Sequence, residues 1–234
     1  MLWRERAGRP CAGVMSAPPI VLPAAQDTAR SILSQLAAQG IDPGEAGSVT
    51  AGDPIRTERD AAPLVTLILE GVAARTRAGE ALSLGLAGPG DVLGLGVAQD
   101  DGGVSGGLWL TPGRRIELPL ATLEEKLTPL ALVELSLQAL RSSEAAARVE
   151  IARHARLRVT DRLAALIADI HARSGEAAIA LRQSELAALL AVRRAGVSNA
   201  CGELQARGAI RLRRGVIELI DLNALRQPAA VTRP

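Results

Sequence analysis

The sequence predicts an α+β protein in which an all-β region, a long helix and a winged helix-turn-helix follow one another. Between residue 41 and about 120, short apolar runs alternate with Gly and Pro, which indicates strands joined by turns. Between about 122 and 157, apolar residues recur with helical spacing. From 159 to 226 the order is helix, strand, short helix, turn, helix and hairpin, which is that of a winged helix-turn-helix.

The composition excludes several classes of site. The 234 residues are 48% hydrophobic, so a core can form, but they include two Trp and neither Phe nor Tyr. Modules that stack bases on aromatic rings are therefore excluded. The two cysteines, Cys11 and Cys201, are far apart and only two His are present. These counts exclude a zinc ribbon or a Cys-ligated iron–sulfur cluster within this chain, and we expect no metal or cofactor.

The same counts bear on location. Few cysteines fit a reducing cytoplasm, and no apolar run reaches the roughly 18–20 residues of a membrane span. Residues 1–22 carry Gly, Pro and Arg without periodicity, so we expect a disordered segment and no signal peptide, with Met15 as an alternative start to Met1. A helix is predicted over 26–39, capped by Asp27 or Thr28.

The β region contains the segment GLAGPGDVLGLG, which starts at Gly85. A phosphate-binding loop is one interpretation, but no Lys-Ser/Thr follows, and the strand-to-helix context of a dinucleotide site is missing. Turn glycines are the better interpretation, with Pro89 and Gly90 suited to a tight turn. Several short strands at this spacing predict a sandwich or small barrel.

The long helix carries one apolar seam after Pro129. Six of the eight seam positions are apolar, and the pattern fits a core helix of the same domain and a dimer seam equally well. The positions are Leu130, Val133, Leu137, Leu140, Glu144, Ala147, Ile151 and His154.

The C-terminal region has its own start and stop signals. Thr160 or Asp161 is expected to cap the first helix, which Gly175 ends, and Ser184 to cap the second, short helix. The third helix ends at Gly208, and a hairpin follows. Five residues of the helix pair are predicted to face inward: Leu186, Ala187, Leu190, Val197 and Leu204.

The net charge of +2 conceals a division between two parts of the chain. Residues 1–155 carry a net charge of −4, and residues 156–234 carry +6. Guanidinium groups at a helix start and on a hairpin are what phosphate neutralisation and guanine recognition require. The alternative is a solvated basic face in a chain that has 26 Arg and one Lys. Because motif and charge agree, we expect double-stranded DNA as the partner.

Individual roles follow from helix geometry. Arg194 is placed to donate to guanine, Asn199 to contact adenine or phosphate, and the start of the short helix to bind phosphate. Cys201 is expected to be a small packing residue. The candidate DNA-binding residues are Gln183, Ser184, Arg193, Arg194, Ser198, Asn199, Arg213 and Arg214.

The chain resembles the Crp/Fnr family of bacterial transcription regulators. The resemblance covers about residues 41–222 and rests on LILEGVAARTRAGEALSLGLAGPGDVLGLG, DRLAALI, ALRQSELAALLAVRRAGVS and ELQARGAIRLRRGVIELID. It implies a jelly-roll-like β-roll sensor domain, a homodimer, a two-fold symmetric operator, and RNA polymerase as a further candidate partner. The implied divisions are a disordered segment 1–22, a β-roll 23–121, a dimerisation helix 122–157, a winged helix-turn-helix DNA-binding domain 158–226 and a flexible tail 227–234.

Some residues depart from the family pattern. Nucleotide-binding members carry Gly-Glu-Leu and a later Arg-Ser, whereas this chain has Gly94-Leu95-Gly96 and later Gly103-Val104-Ser105-Gly106. A buried cyclic phosphate without a cationic partner is costly, so binding of cyclic AMP is not expected. The base-reading Glu of the family is replaced by Ala195-Gly196, so the target sequence should differ.

Two functions from different classes remain. The main hypothesis is a homodimeric, sequence-specific DNA-binding transcription regulator with a degenerate or non-cAMP effector domain. The alternative is a protein-interaction module whose winged helix has lost specific DNA recognition, because a Gly inside the recognition helix weakens it. An enzyme is not expected, since no catalytic constellation stands out.

Overall fold

The computed structural model describes residues 28–55, 58–59, 62–77, 80–95 and 105–226. The predictions for the N-terminal segment, Cys11, the start at Met15, the Gly103 region and the C-terminal tail lie outside these residues. In the described part of the chain, none of the helices is long and apolar enough to cross a membrane.

The first helix packs on the β region. Helix α1 spans Thr28–Ala38 and buries Ile32 and Leu36 completely. The helix ends at Ala38, two residues before Gly40, whose φ of +69° is a left-handed conformation that glycine adopts without a Cβ penalty.

In the described residues before position 120, eight strands form two antiparallel sheets. They are β1 (Gly47–Val49), β2 (Glu58–Arg59), β3 (Ala62–Glu70), β4 (Ala73–Arg77), β5 (Leu86–Ala87), β6 (Val92–Leu93), β7 (Ser105–Trp109) and β8 (Gly113–Pro119). One sheet has the order β1-β8-β3-β2 with β6 also paired to β3, and the other has the order β5-β4-β7. Buried residues of both sheets meet in one cluster around Trp109, which is 0% exposed. The expected N-terminal β architecture is therefore confirmed, and β1–β8 are called the β-roll below.

The helical segment is divided in two. Helix α2 spans Leu120–Lys126 and helix α3 spans Pro129–Arg156. The backbone is extended at Leu127 and Thr128, because proline disfavours a helical conformation in the residue before it and cannot donate a helical hydrogen bond. Thr128 instead caps α3, since its Oγ1 accepts from Ala131 N at 3.3 Å.

The C-terminal elements confirm the predicted order. They are α4 (Val159–Ser174), β9 (Ala178–Ile179), α5 (Gln183–Leu189), α6 (Arg194–Ala206), β10 (Ile210–Arg213), β11 (Val216–Leu219) and α7 (Leu222–Arg226). The strands form a third sheet in the order β10-β11-β9. Residues 158–226 are called the winged-helix domain below.

Two helix starts differ from the prediction. Helix α4 begins at Val159, so Thr160 lies in its first turn, where the side chain is buried and donates to Glu203 at 2.9 Å. Helix α5 begins at Gln183, so Ser184 also lies inside the first turn rather than at the cap. A polar residue in the first turn and a capping residue look alike in the sequence, so the predicted starts of α4 and α5 were displaced by one or two residues.

The β-roll and the winged-helix domain share a core. The largest cluster of buried apolar residues joins Val72, Ala74, Leu86 and Leu110 of the β-roll to the interior of the winged-helix domain. The two parts are therefore packed directly against each other.

Candidate nucleic-acid interface

The helix pair α5–α6 is assembled by its apolar interior. All five residues predicted to face inward are buried, with Val197 and Leu204 at 0% exposure. The turn between the helices places Ala191 at a φ of +49°, and Val192 N donates to Ala187 O at 2.9 Å across it. A non-glycine residue in the left-handed region is uncommon, so the hydrogen-bonded turn must hold it there.

Helix α6 presents a polar face outward. Arg194, Ser198 and Asn199 are exposed, while Ala200 and Cys201 lie on the buried side. The helix is continuous through Gly196. Arg194 and Ser198 are four residues apart, so their side chains share one side of the helix. Arg194 has no ion pair in the described chain and can donate its guanidinium to an incoming acceptor.

Cys201 is buried in the core of the winged-helix domain. The side chain is 0% exposed, which confirms the prediction of a packing residue. Burial raises the pKa of the Cys201 thiol above its ordinary value, because the thiolate would lose its hydration.

The start of α5 also holds the carboxylate of Glu185, which is not among the predicted site residues. Glu185 Oε2 accepts from the Arg182 amide at 2.6 Å. Ser184 is exposed and Gln183 is half-buried beside it. A phosphate at this helix start would have to approach a carboxylate, so Gln183 and Ser184 have a weaker claim to phosphate than Arg194.

The wing carries three arginines that are not equivalent. Arg213 Nε lies 2.5 Å from Glu218 Oε1, and Arg211 Nη1 lies 3.8 Å from Glu218 Oε2. Arg214 is exposed in the turn beside Gly215 and has no ion pair in the described chain. The charge of Arg214 is therefore the least compensated on the wing. Glu218 was not foreseen as part of the site, although the β10–β11 register that pairs it with Arg211 follows from the two-residue turn.

Two further contacts hold the wing and α6 in place. Leu212 N donates to Gln205 Oε1 at 3.0 Å, which ties the first wing strand to the end of α6. Glu203 of α6 accepts from Thr160 of α4 and lies 3.6 Å from Arg207. Helix α6, which carries the candidate DNA-binding face, is thus held by contacts with both β10 and α4.

A buried arginine holds the turn of the helix pair. Arg162 of α4 donates to the backbone carbonyl of Leu190, and its Nη2 lies 3.1 Å from His154 Nε2. Because arginine can only donate, Nε2 of His154 must be the acceptor in this bond. Burial lowers the pKa of His154, and the charge of Arg162 lowers it further against the opposing effect of Glu150.

The connection between α3 and α4 is also charged. Arg153 bridges Glu150 at 2.9 Å and Asp169 at 2.6 Å. Burial alone would lower the pKa of Arg153, but Asp169 and Glu150 outweigh it and raise that pKa above its ordinary value.

The seam of α3 lies on the outside of the protomer. Its five large apolar residues are about half to two-thirds exposed: Leu130, Val133, Leu137, Leu140 and Ile151. A groove of about 300 Å³ runs between Leu132, Val133, Ser136, Leu137 and Leu140. The opposite side of the helix buries Leu135, Ala139 and Ala146. The seam is therefore not part of the core of its own domain.

The residues described here offer no metal site, since no group of three or more His, Cys, Asp or Glu comes together among them.

The comparisons with known proteins agree with this geometry. Residues 161–228 match the Crp-like helix-turn-helix domain family. A transcriptional regulator of the CRP/FNR family from Thermus thermophilus is 27% identical, with a TM-score of 0.54, and the match covers 78% of this chain and 96% of that one. No curated protein sequence matches the chain.

Two more distant structures share the fold. FixK2 from Bradyrhizobium japonicum is 16% identical with a TM-score of 0.57, over 81% of this chain and 98% of that one. The c-di-GMP responsive global regulator CLP from Xanthomonas campestris is 18% identical with a TM-score of 0.59, over 82% of this chain and 99% of that one. The Thermus protein is named a transcriptional regulator and CLP a global regulator. The resemblance predicted from the sequence is confirmed: residues 161–228 are a Crp-like helix-turn-helix domain, carried on the fold of Crp/Fnr transcription regulators.

Proposed function

We propose that the chain is a homodimeric transcription regulator that binds double-stranded DNA in a sequence-specific manner through α6. The observation that carries the proposal is the outer face of α6, where Arg194, Ser198 and Asn199 are exposed above a fully packed interior. A helix of this kind fits the major groove, and Arg194 can donate two hydrogen bonds to O6 and N7 of guanine.

The wing and the start of α6 supply the phosphate contacts in this proposal. Arg193 and Arg214 are exposed and make no ion pair in the described chain, so they are the residues best able to neutralise phosphate. Arg213 shares Glu218 with Arg211 and contributes less net charge.

Dimerisation occurs through the seam of α3. The exposed apolar residues follow the heptad spacing of a helix that pairs with a copy of itself. Pairing two such helices about a two-fold axis would present two copies of α6 to a two-fold symmetric operator.

The effector domain departs from cyclic-nucleotide binding. Leu95 occupies a position where nucleotide-binding members of the family carry Glu, and it is buried in the apolar cluster with α1 and α3. An apolar side chain there cannot accept hydrogen bonds from a ribose. We therefore propose an effector domain that is degenerate or responds to a ligand other than cyclic AMP.

The test selects bound duplexes from a random-sequence DNA pool with the full-length protein. We expect a two-fold symmetric sequence to be enriched. Arg194→Ala should weaken binding to that duplex by about 1–3 kcal/mol and relax one base position. Arg114→Ala removes the same charge from an exposed β-roll position and should leave the binding preference unchanged.

Two outcomes would contradict the proposal. Enrichment of no sequence, or equal loss of affinity in both variants, would show that the basic face binds DNA only by charge. Capture of a stable protein partner without any DNA footprint would favour the interaction module. The uninterrupted course of α6 through Gly196 speaks against that alternative.

A further inference from the structure

A segment of the β-roll, residues 83–91 with strand β5 inside it, lies against three helices. Ser83 N donates to the carbonyl of Leu189 in α5 at 3.0 Å. A Cβ at Gly85 would lie 2.6 Å from Cβ of Ala146 in α3, so only glycine permits this approach. A Cβ at Gly88 would lie 3.5 Å from Nη1 of Arg173 in α4, so this glycine is next to the Arg173 side chain.

One carboxylate in this segment, that of Asp91, contacts β4, α3 and α4. Asp91 is 3% exposed. Its Oδ1 lies 3.2 Å from Arg75 Nη2 in β4 and accepts from Ser142 Oγ in α3 at 2.7 Å. Its Oδ2 accepts from Gly88 N at 2.9 Å and lies 3.9 Å from Arg173 Nη1 in α4.

Asp91 faces two positively charged side chains, Arg75 and Arg173, whose charges it compensates. Arg75 is 5% exposed, donates weakly to Val92 O and Ser142 Oγ, and has no hydrogen-bond partner at Nε. Burial lowers the pKa of Arg75, Asp91 opposes that shift, and the charge of Arg173 reinforces it. A single carboxylate thus compensates two guanidinium groups that belong to different parts of the chain.

We propose that Asp91 is a positioning residue that fixes the winged-helix domain to the β-roll and thereby sets the distance between the two DNA-reading helices of a dimer. The outer face of α6 stays exposed in this arrangement, so the contact orients the reading helix and does not block it. The proposal rests on the proposed function, because a fixed distance matters only when two half-sites are read together.

The test varies the spacing of half-sites in the duplex that the wild type selects. Inserting one base pair displaces and rotates one half-site against the other, and we expect the wild type to lose about tenfold in affinity. Arg173→Gln removes the ionic contact between Asp91 and α4 and leaves the contacts of Asp91 with Arg75 and Ser142 in place. We expect its loss on the same insertion to stay under about threefold.

Conservative and matched variants separate positioning from stability. Arg173→Lys keeps a cation beside Asp91 and should restore spacing discrimination. Arg226→Gln, an equivalent change elsewhere in the winged-helix domain, should behave as the wild type. Unchanged spacing discrimination in Arg173→Gln would overturn the proposal.

A second measurement does not depend on DNA. Hydrogen exchange should rise in peptides covering residues 83–91 and 186–190 in Arg173→Gln and in Asp91→Asn, with no change in β10–β11. The carboxylate control Glu80→Gln should show no such rise. Absence of the rise in Arg173→Gln would overturn the proposal. Failure of the wild type to enrich any duplex would refute the proposed function and the spacing role, while the exchange data would still decide whether Asp91 fixes the two parts together.

Discussion

Truncating Leu137 to alanine should weaken the proposed dimer through the loss of apolar surface on the seam of α3. The substitution removes three carbon atoms, each worth about 0.8 kcal/mol when fully buried. Leu137 is 47% exposed in the protomer, so about half of that value, roughly 1 kcal/mol, is gained on pairing. A dimer contains two copies, which gives about 2 kcal/mol, or a roughly 30-fold rise in the dimer dissociation constant.

Sedimentation equilibrium over a range of protein concentrations measures this constant directly. The matched control is Ile220→Ala, because Ile220 is 51% exposed but follows β11, far from the seam in sequence and on a different element. The control should leave the dimer constant unchanged.

Two results would refute this reasoning. A wild-type protein that stays monomeric at concentrations of tens of micromolar would show that the seam does not pair. Equal effects of Leu137→Ala and Ile220→Ala would show that general apolar exposure, and not the seam, governs association.

Three further predictions follow from single sites. Gly94→Ala should lower the free energy of unfolding, measured by urea denaturation, by about 1–3 kcal/mol, because φ is +83° and a Cβ would lie 2.2 Å from Leu64 O. The control Gly202→Ala has open space around it and should be neutral or stabilising in the same assay. The pKa of His154 is lowered in the folded protein, so below about pH 6.5 the unfolded chain binds more protons than the folded chain. The free energy of unfolding of the wild type should therefore fall more steeply between pH 7 and pH 5 than that of His154→Gln in the same assay. Iodoacetamide at pH 8 should alkylate Cys201 in urea but not in the native protein, as read by mass spectrometry.

The winged-helix domain was the most predictable part of the chain. Its signals are local: the apolar positions of α5 and α6 repeat with helical spacing, and Gly175, Gly208 and Gly215 end elements at positive φ. The exposed position of Ser198 follows from the burial of Ala200 two residues later, and Arg194 lies on the same side of the helix as Ser198. Helix starts were less predictable, because first-turn and capping residues look alike.

The contacts between parts of the chain could not be predicted. The cluster around Asp91 brings together residues whose successive members lie 16 to 51 positions apart in the sequence, so no local pattern joins them. Its members are Arg75, Asp91, Ser142 and Arg173. Their meeting depends on how the β-roll packs on α3 and α4. The pairing of Glu218 with two wing arginines was within reach of the sequence, but it requires the strand register, which a charge count does not contain.

The shared core of the β-roll and the winged-helix domain limits how this chain can be recombined. Val72 and Leu110 pack in one cluster with Leu163 and Leu186, so cutting the chain near residue 158 would leave apolar surface on both pieces. A chimera that joins the winged-helix domain to a different N-terminal domain would need a matching apolar surface at the same place. Exchange of the exposed residues on α6 alone avoids this requirement, so under the proposed function it is the route by which a new DNA specificity can be built on this fold.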